Sequence, residues 1–130
     1  MNILVVDDEL DIKTLFEQRF RKEIRSGQLS LVFAGNGAEA LNILNKDSQN
    51  IPIILSDINM PVMNGLDLLK NVRERYTKPA PSVIMITAYG DQENYNHCKS
   101  LGADELISKP VDFNNLKELI AGKLNHTCLS

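Results

Sequence analysis

Three apolar runs and one shorter stretch each end on a short polar group. Asp7 and Asp8 follow Ile3-Leu4-Val5-Val6, and Asp57 follows Ile53-Ile54-Leu55-Ser56. Thr87 follows Val83-Ile84-Met85-Ile86, and Lys109 follows the stretch from Glu105 to Ser108. Singly, each has an ordinary explanation: an Asp pair caps a helix, a lone Asp or Thr closes a turn, and a lysine before Pro110 is solvated. Convergence would change their meaning. Two unit negative charges ~4 Å apart repel by about 4 kcal/mol at an effective dielectric near 20, so three gathered carboxylates need cations to offset them. All-oxygen ligation with few protein groups suits Mg²⁺, which keeps several waters and is completed by a phosphate. Lys109 supplies a second, fixed positive charge. A carboxylate beside such a metal, faced by a lysine and a hydroxyl, is placed to attack phosphorus. Metal and lysine would stabilise the charge on the transferring group, and Thr87 could donate to one of its oxygens.

These groups can meet only if the runs are neighbouring strands with their ends at one edge. Short apolar runs bounded by turn signals read as buried strands of a parallel sheet. Leu29, Leu31 and Phe33 alternate around Ser30 and Val32, which suits a strand nearer the sheet edge. Between the strands, apolar residues recur at helical spacing. The first such stretch runs from Asp11 through Ile12, Leu15, Phe16, Phe20 and Ile24 and stops at Gly27. A second opens at Asn36-Gly37 and carries Ala40, Leu41 and Leu44 on one face. Pro61 must turn the chain after Asp57. Asn64 can then cap a third helix marked by Leu68, Leu69 and Val72, with Asp67 favoured in its first turn. Lys78-Pro79-Ala80-Pro81 excludes helix. Tyr95, Cys98 and Leu101 line a fourth helix ending at Gly102. Asp112 can cap a fifth, striped by Phe113, Leu116, Leu119, Ile120 and Leu124. Five strands alternating with five helices predict an α/β fold with right-handed crossovers and helices on both sheet faces.

The chain has 130 residues, 43% hydrophobic, with a net charge of −3. That is one domain at residues 1–124, with 125–130 expected as a C-terminal tail. Nothing in the charge recommends nucleic acid or an anionic membrane as partner. No apolar run approaches the ~20 residues that span a bilayer. With Met1 directly before the first strand, no signal peptide is expected, and the expected location is cytoplasmic. Cys98 and Cys128 form no disulfide framework or metal spacing. His97 and His126 are expected to face solvent. No strand is followed by a Walker-type glycine loop, and no Ser/His pair suggests acyl chemistry.

Val5-Val6-Asp7-Asp8-Glu9, the segment Asp57 to Gly65 (Asp-Ile-Asn-Met-Pro-Val-Met-Asn-Gly), Ile86-Thr87-Ala88 and Ser108-Lys109-Pro110 together resemble the receiver domain of two-component response regulators. The resemblance covers about residues 2–124. Each motif alone is weak, but four in this order and spacing are highly specific. It implies a flavodoxin-like doubly wound (βα)5 fold, with a five-stranded parallel sheet of order 2-1-3-4-5, the order the general rule for such folds illustrates with this family. It makes Asp57 the nucleophile that becomes an aspartyl phosphate. Asp8 would bind Mg²⁺ directly and Asp7 largely through water, with Asp57 and the Asn59 main-chain carbonyl as further ligands. Thr87 and Lys109 would contact the phosphoryl group, Ala88 counts among the cofactor-binding positions, and Lys109-Pro110 is expected to be cis. Asn59 and Tyr89 would flank the attacking water, with Tyr89 shielding the phosphoryl group.

The same resemblance implies a sensor histidine kinase or phosphotransfer protein as donor, and a downstream output domain or protein as target. The chain would catalyse its own phosphorylation and dephosphorylation without being a turnover enzyme. Its output face would be the fourth helix, fifth strand and last helix, presenting Tyr95, Lys99, Lys117 and Glu118, with a homodimer through that face as one outcome. One position departs from the family: Leu106 stands where Tyr or Phe is usual. No output domain is expected within these residues. The basic group Arg19, Arg21, Lys22 and Arg25 reads as a solvated face. Two other readings are a phosphorylation-independent pseudo-receiver and a haloacid-dehalogenase-like phosphatase. The first typically lacks the acid pair, the acceptor Asp or the Lys, all present here. The second wants Asp-x-Asp on the first strand, whereas Asn59 stands two after Asp57 on the third.

Overall fold

The computed structural model describes residues 2–47, 50–60, 62–77, 80–88 and 92–129, with backbone alone at 10, 92 and 123–129. Five strands, β1 (Asn2–Val6), β2 (Ser30–Ala34), β3 (Ile53–Asp57), β4 (Ser82–Thr87) and β5 (Glu105–Ser108), pair in parallel in the order β2-β1-β3-β4-β5. The helices are α1 (Leu10–Arg19), α2 (Arg21–Arg25), α3 (Gly37–Asp47), α4 (Gly65–Arg75), α5 (Gln92–Ser100) and α6 (Phe113–Leu129). Fold class, strand order and the cis Lys109-Pro110 bond agree with expectation.

Period-two alternation divides the strand residues between two cores. Ile3, Val5, Ile53, Leu55, Ile84 and Ile86 pack with Phe16 of α1, Phe20 just after it, and Leu116 and Ile120 of α6. Leu4, Val6, Ile54, Val83 and Met85 face the other way, onto Ala40, Leu44, Leu68, Leu69, Val72 and Cys98 from α3, α4 and α5. Burial on both faces explains why β1, β3 and β4 read as unbroken apolar runs. Phe113 meets Phe16 and Phe20 edge-on, with centroids 5.1 and 6.1 Å apart. Such pairs add about 0.5–1.5 kcal/mol beyond area burial, and these hold the start of α6 against α1.

The helix ends follow their capping chemistry. Asn64 Oδ1 accepts from Asp67 N at 2.9 Å, Asn36 Oδ1 from Glu39 N at 2.9 Å, and Asp112 Oδ1 from Asn114 N and Asn115 N at 3.1 and 3.2 Å. Gly27 has φ +78°, and Gln28 N donates to Glu23 O while Gly27 N donates to Ile24 O, the Schellman pattern. At the edge opposite the strand ends, Arg73 of α4 donates to Gly102 O (2.8 Å), Pro81 O (2.7 Å) and Asp104 Oδ2 (3.0 Å). That same Asp104 oxygen accepts from Val83 N at 2.7 Å.

Three expectations are corrected. The first helix is two, because the chain departs from helical dihedrals at Phe20 (φ −101°, ψ 17°). Its rings still seat in the core, and the Phe20 N to Phe16 O and Ile24 N to Phe20 O bonds persist across the break. The last helix runs on to Leu129 through the stretch expected as a tail, since no proline or glycine interrupts it after Gly122. Lys117 turns away from the expected output face to pair with Glu23 at 3.1 Å, its ammonium over the Phe20 ring. Pro61, Lys78-Pro79 and the side chains of Leu124, His126 and Cys128 lie outside the described residues. Among those described, no helix is long and apolar enough to cross a membrane.

Gly65 opens α4 pressed against the end of β3: a Cβ there would meet Asp57 O at 2.1 Å and Ile58 Cα at 2.9 Å. Backbone cannot yield as a side-chain tip can. Gly65→Ala is expected to lower unfolding free energy by more than about 2 kcal/mol. Gly122→Ala, exposed in α6 with nothing near its Cβ, should raise it by about 0.5–1 kcal/mol. Urea titration of both variants checks the contrast, and similar midpoints would contradict it.

Candidate functional site

Parallel pairing brings every strand's carboxyl end to one edge, and the register fixes the spacing there. Val6 pairs with Ser56, which sets Asp7 beside Asp57. Asp57 pairs with Ile86, one residue short of Thr87, and Thr87 pairs with Ser108, one short of Lys109. The backbone continues these pairings: Asp7 N donates to Ala34 O at 3.0 Å, Ile58 N to Ile86 O at 3.1 Å and Lys109 N to Thr87 O at 2.7 Å. Strands β3 and β5 lie about 10 Å apart with β4 between them, a span the lysine side chain bridges.

Carboxylate oxygens of Asp7, Asp8 and Asp57 lie within 4.8 Å of one another. Lys109 Nζ donates to Asp57 Oδ2 at 3.2 Å and to Glu9 Oε1 at 3.1 Å, and lies 3.5 Å from Asp7 Oδ2. Asp57 is buried, Asp7 half-buried and Asp8 exposed, so the cluster opens to solvent on one side. Thr87 is buried at the end of β4, with Ala88 exposed beyond it. Asn59 is exposed in the loop after β3. In the same loop Val62, 86% exposed, adopts a φ of +67°, a left-handed conformation rare for a β-branched residue. Met63 O accepts from Gly37 N at 3.0 Å, tying this loop to the start of α3. Tyr89 lies outside the described residues. A pocket of about 190 Å³ beside the acids is lined by Ile12, Lys13, Phe33 and Gly35 as well as the acidic loop. His97 is exposed on α5, and Cys98 is buried, its thiol pKa pushed up by desolvation.

The electrostatics match the crowding. Burial alone would lower the Lys109 pKa, but the hydrogen bond it donates to Glu9 and the charges of Asp7 and Asp57 raise it on balance, so its ammonium is fixed. Asp7 is pushed above the usual carboxylate range, chiefly by burial, with the Glu9 N–H and Lys109 opposing that shift only in part. Three hard oxygen donors from side chains, one side open to water and a lysine nearby, form a donor set that fits a small divalent cation better than a soft metal.

Sequence reasoning brought Asp7, Asp8, Asp57, Thr87 and Lys109 to one edge, and the structure gathers them there. It gave Glu9 no role beyond membership of the acidic loop. The available signal was a glutamate at an N-cap position, where shorter side chains are preferred.

A doubly wound sheet with an acid cluster and a lysine at its carboxyl edge defines the class. The family profile for the response regulator receiver domain matches residues 3–121, and the chain belongs to that family. It is 32% identical over 118 residues to sporulation initiation phosphotransferase F of Bacillus subtilis, covering 91% of this chain and 89% of the relative. It is 36% identical to the response regulator protein PilR of Pseudomonas aeruginosa over 93% of this chain but 25% of PilR. The chain thus spans about a quarter of that longer relative's length. Among solved structures, a receiver domain from Clostridium thermocellum aligns with TM-score 0.84 and 27% identity over 98% of this chain and 97% of that one. A CheX–CheY–BeF3–Mg complex from Borrelia burgdorferi aligns with TM-score 0.83 and 30% identity over 94% and 87%.

The raised Asp7 pKa has a consequence for stability. Between the ordinary carboxylate value and the raised one, the folded chain keeps a proton that the unfolded chain has released. Stability therefore falls as pH rises through that window, and the cost persists above it. Asp7→Asn, in buffer with a chelator, is expected to be more stable than the parent at neutral pH, with the gap closing as pH falls through the window. Thermal unfolding across pH measures it; a constant gap would contradict this cause.

Proposed function

We propose that the chain accepts a phosphoryl group on Asp57 from a histidine kinase or phosphotransfer protein and relays the event to an output partner. The observation that carries this reading is the contact of Lys109 with the buried Asp57 inside a cluster of three carboxylates. An Asp57 oxygen attacks phosphorus, forming an O–P bond. The bond from phosphorus to the donor's imidazole nitrogen, or to the acyl oxygen of a small donor, breaks and its electron pair leaves with the donor. Lys109 is held where charge develops on the transferring oxygens, and Thr87 stands one strand away as a hydrogen-bond donor to the same group. Asp7, Asp8, Asp57 and the Asn59 carbonyl would hold Mg²⁺, which when bound neutralises charge on those oxygens. The donor chemistry of the three carboxylates supports this, as does likeness to a chain described with BeF3 and Mg. Water attack on the phosphoryl group restores the Asp57 carboxylate, so the chain acts on itself and is not a turnover enzyme.

Asp57→Asn is expected to abolish label incorporation from radiolabelled acetyl phosphate while the circular dichroism spectrum stays unchanged. Normal labelling of the variant would sink the assignment. Continuous release of phosphate by the parent would favour a phosphatase, and no labelling of the parent an interaction module.

The output face we propose is α5, β5 and α6. Tyr95 is exposed there with Lys99 over its ring, and Leu106 is half-buried against the core beneath α5. Engaging Thr87 and Lys109 pulls on adjacent strands, and a leucine rotamer change can fill or vacate the space behind them. Beryllofluoride with Mg²⁺ should shift the amide signals of Tyr95 to Leu101 and of Leu106. Shifts confined to the loops at the strand ends would rule this face out.

A further inference from the structure

Glu9 is a costly neighbour for a phosphoryl site, because it adds a fourth carboxylate where an anion must enter. Its placement has a clear origin. It holds the N-cap position of α1 with extended dihedrals, yet its carboxylate makes no capping bond. Instead the side chain crosses from the loop after β1 to the loop after β5 and reaches Lys109 Nζ at 3.1 Å, a contact between residues 100 apart in sequence. The aromatic packing of Phe113 on α1 brings those two loops together. An ammonium has three N–H donors, and Lys109 is surrounded by three carboxylates at 3.1, 3.2 and 3.5 Å. A phosphoryl oxygen entering beside Asp57 competes with them for the ammonium, which already donates to Asp57 and Glu9. Asp57 is the acceptor itself. The Asp7 side chain is 5% exposed and pinned by the Glu9 N–H at 2.9 Å. The Glu9 side chain is 60% exposed, with water ready to take it.

We infer that Glu9 is the displaceable partner of Lys109, a positioning residue that holds the ammonium over the acid cluster before phosphorylation and yields it to the entering phosphoryl group. The inference rests on the phosphoacceptor reading of Asp57. In the resting chain Glu9 offsets the lysine and keeps it aimed. During entry, its charge competes with the phosphoryl oxygens for the same donor and repels an anionic donor. Glu9 therefore sets a threshold for loading the site, separate from the chemistry at Asp57.

Glu9→Gln keeps the length and polarity of the side chain and removes its charge. Parent and variant are titrated with beryllofluoride at saturating Mg²⁺, followed by the amide shifts of Ser108 and Lys109. At low ionic strength the variant should reach half-saturation at a concentration about twofold to fivefold lower, the range for an exposed ion pair. The ratio should shrink toward one at high salt, where the screening length falls to ~3 Å at 1 M. A merely structural role would not give that salt dependence. The initial rate of labelling from acetyl phosphate should rise by a similar factor. If the parent responds but the variant binds no tighter at low salt, the role of Glu9 falls and the phosphoacceptor reading stands. If the parent itself shows no shift at Ser108 or Lys109, both fall.

Discussion

Carboxylates brought together out of water repel one another, and the site holds them in place with a lysine that arrives from two strands away. This balance is the constraint on which the rest of the molecule depends. The ammonium has to stand between β1 and β3 although its backbone belongs to the loop after β5. Continuous parallel pairing from β1 to β5 fixes where that loop begins, the Lys109 N to Thr87 O bond fixes its direction, and Phe113 packed on α1 fixes how close it comes to the acidic loop. Both cores therefore contribute to the position of one charge. The same balance keeps the site reactive. Lys109 offsets the acids without removing the desolvation of Asp7, and the cluster still favours any further cation that fits it.

Most of this was readable because a parallel sheet converts sequence order into spatial order. A polar residue ending a buried apolar run must lie at the carboxyl edge, so Asp7, Asp57, Thr87 and Lys109 declared their neighbourhood before any coordinates did. Caps were legible for a similar reason: Asn64 and Asp112 bond to N–H groups two or three residues away, and such chemistry is local. What stayed hidden depends on side chains meeting across long distances in sequence. Lys117 looked like part of an exposed face and instead pairs with Glu23, 94 residues away. Glu9 looked like the third acid of a loop motif, and its partner is 100 residues off. The break at Phe20 was invisible because periodicity reports which face is apolar. Both Phe16 and Phe20 keep that face through the break. The strand order itself came from family likeness, since alternation of elements does not determine it.

Arg73 gives the molecule an asymmetry between its two ends. Its planar guanidinium binds the turn before β5 and the start of β4, and Asp104 completes the join by taking the Val83 N–H. A lysine ammonium, a compact point charge, lacks the planar fork that spans these three partners. The amino ends of β4 and β5 are thus clamped to α4, while their carboxyl ends carry the residues that face the site. A strand fixed at one end and pulled at the other cannot slide along its neighbours; it tilts. Mechanically, Arg73 is a fulcrum, and displacement grows with distance from it along the strand. Any motion begun at Thr87 or Lys109 is therefore largest at the edge where it starts and smallest at the Arg73 end, which holds the alignment of the sheet while the other end moves.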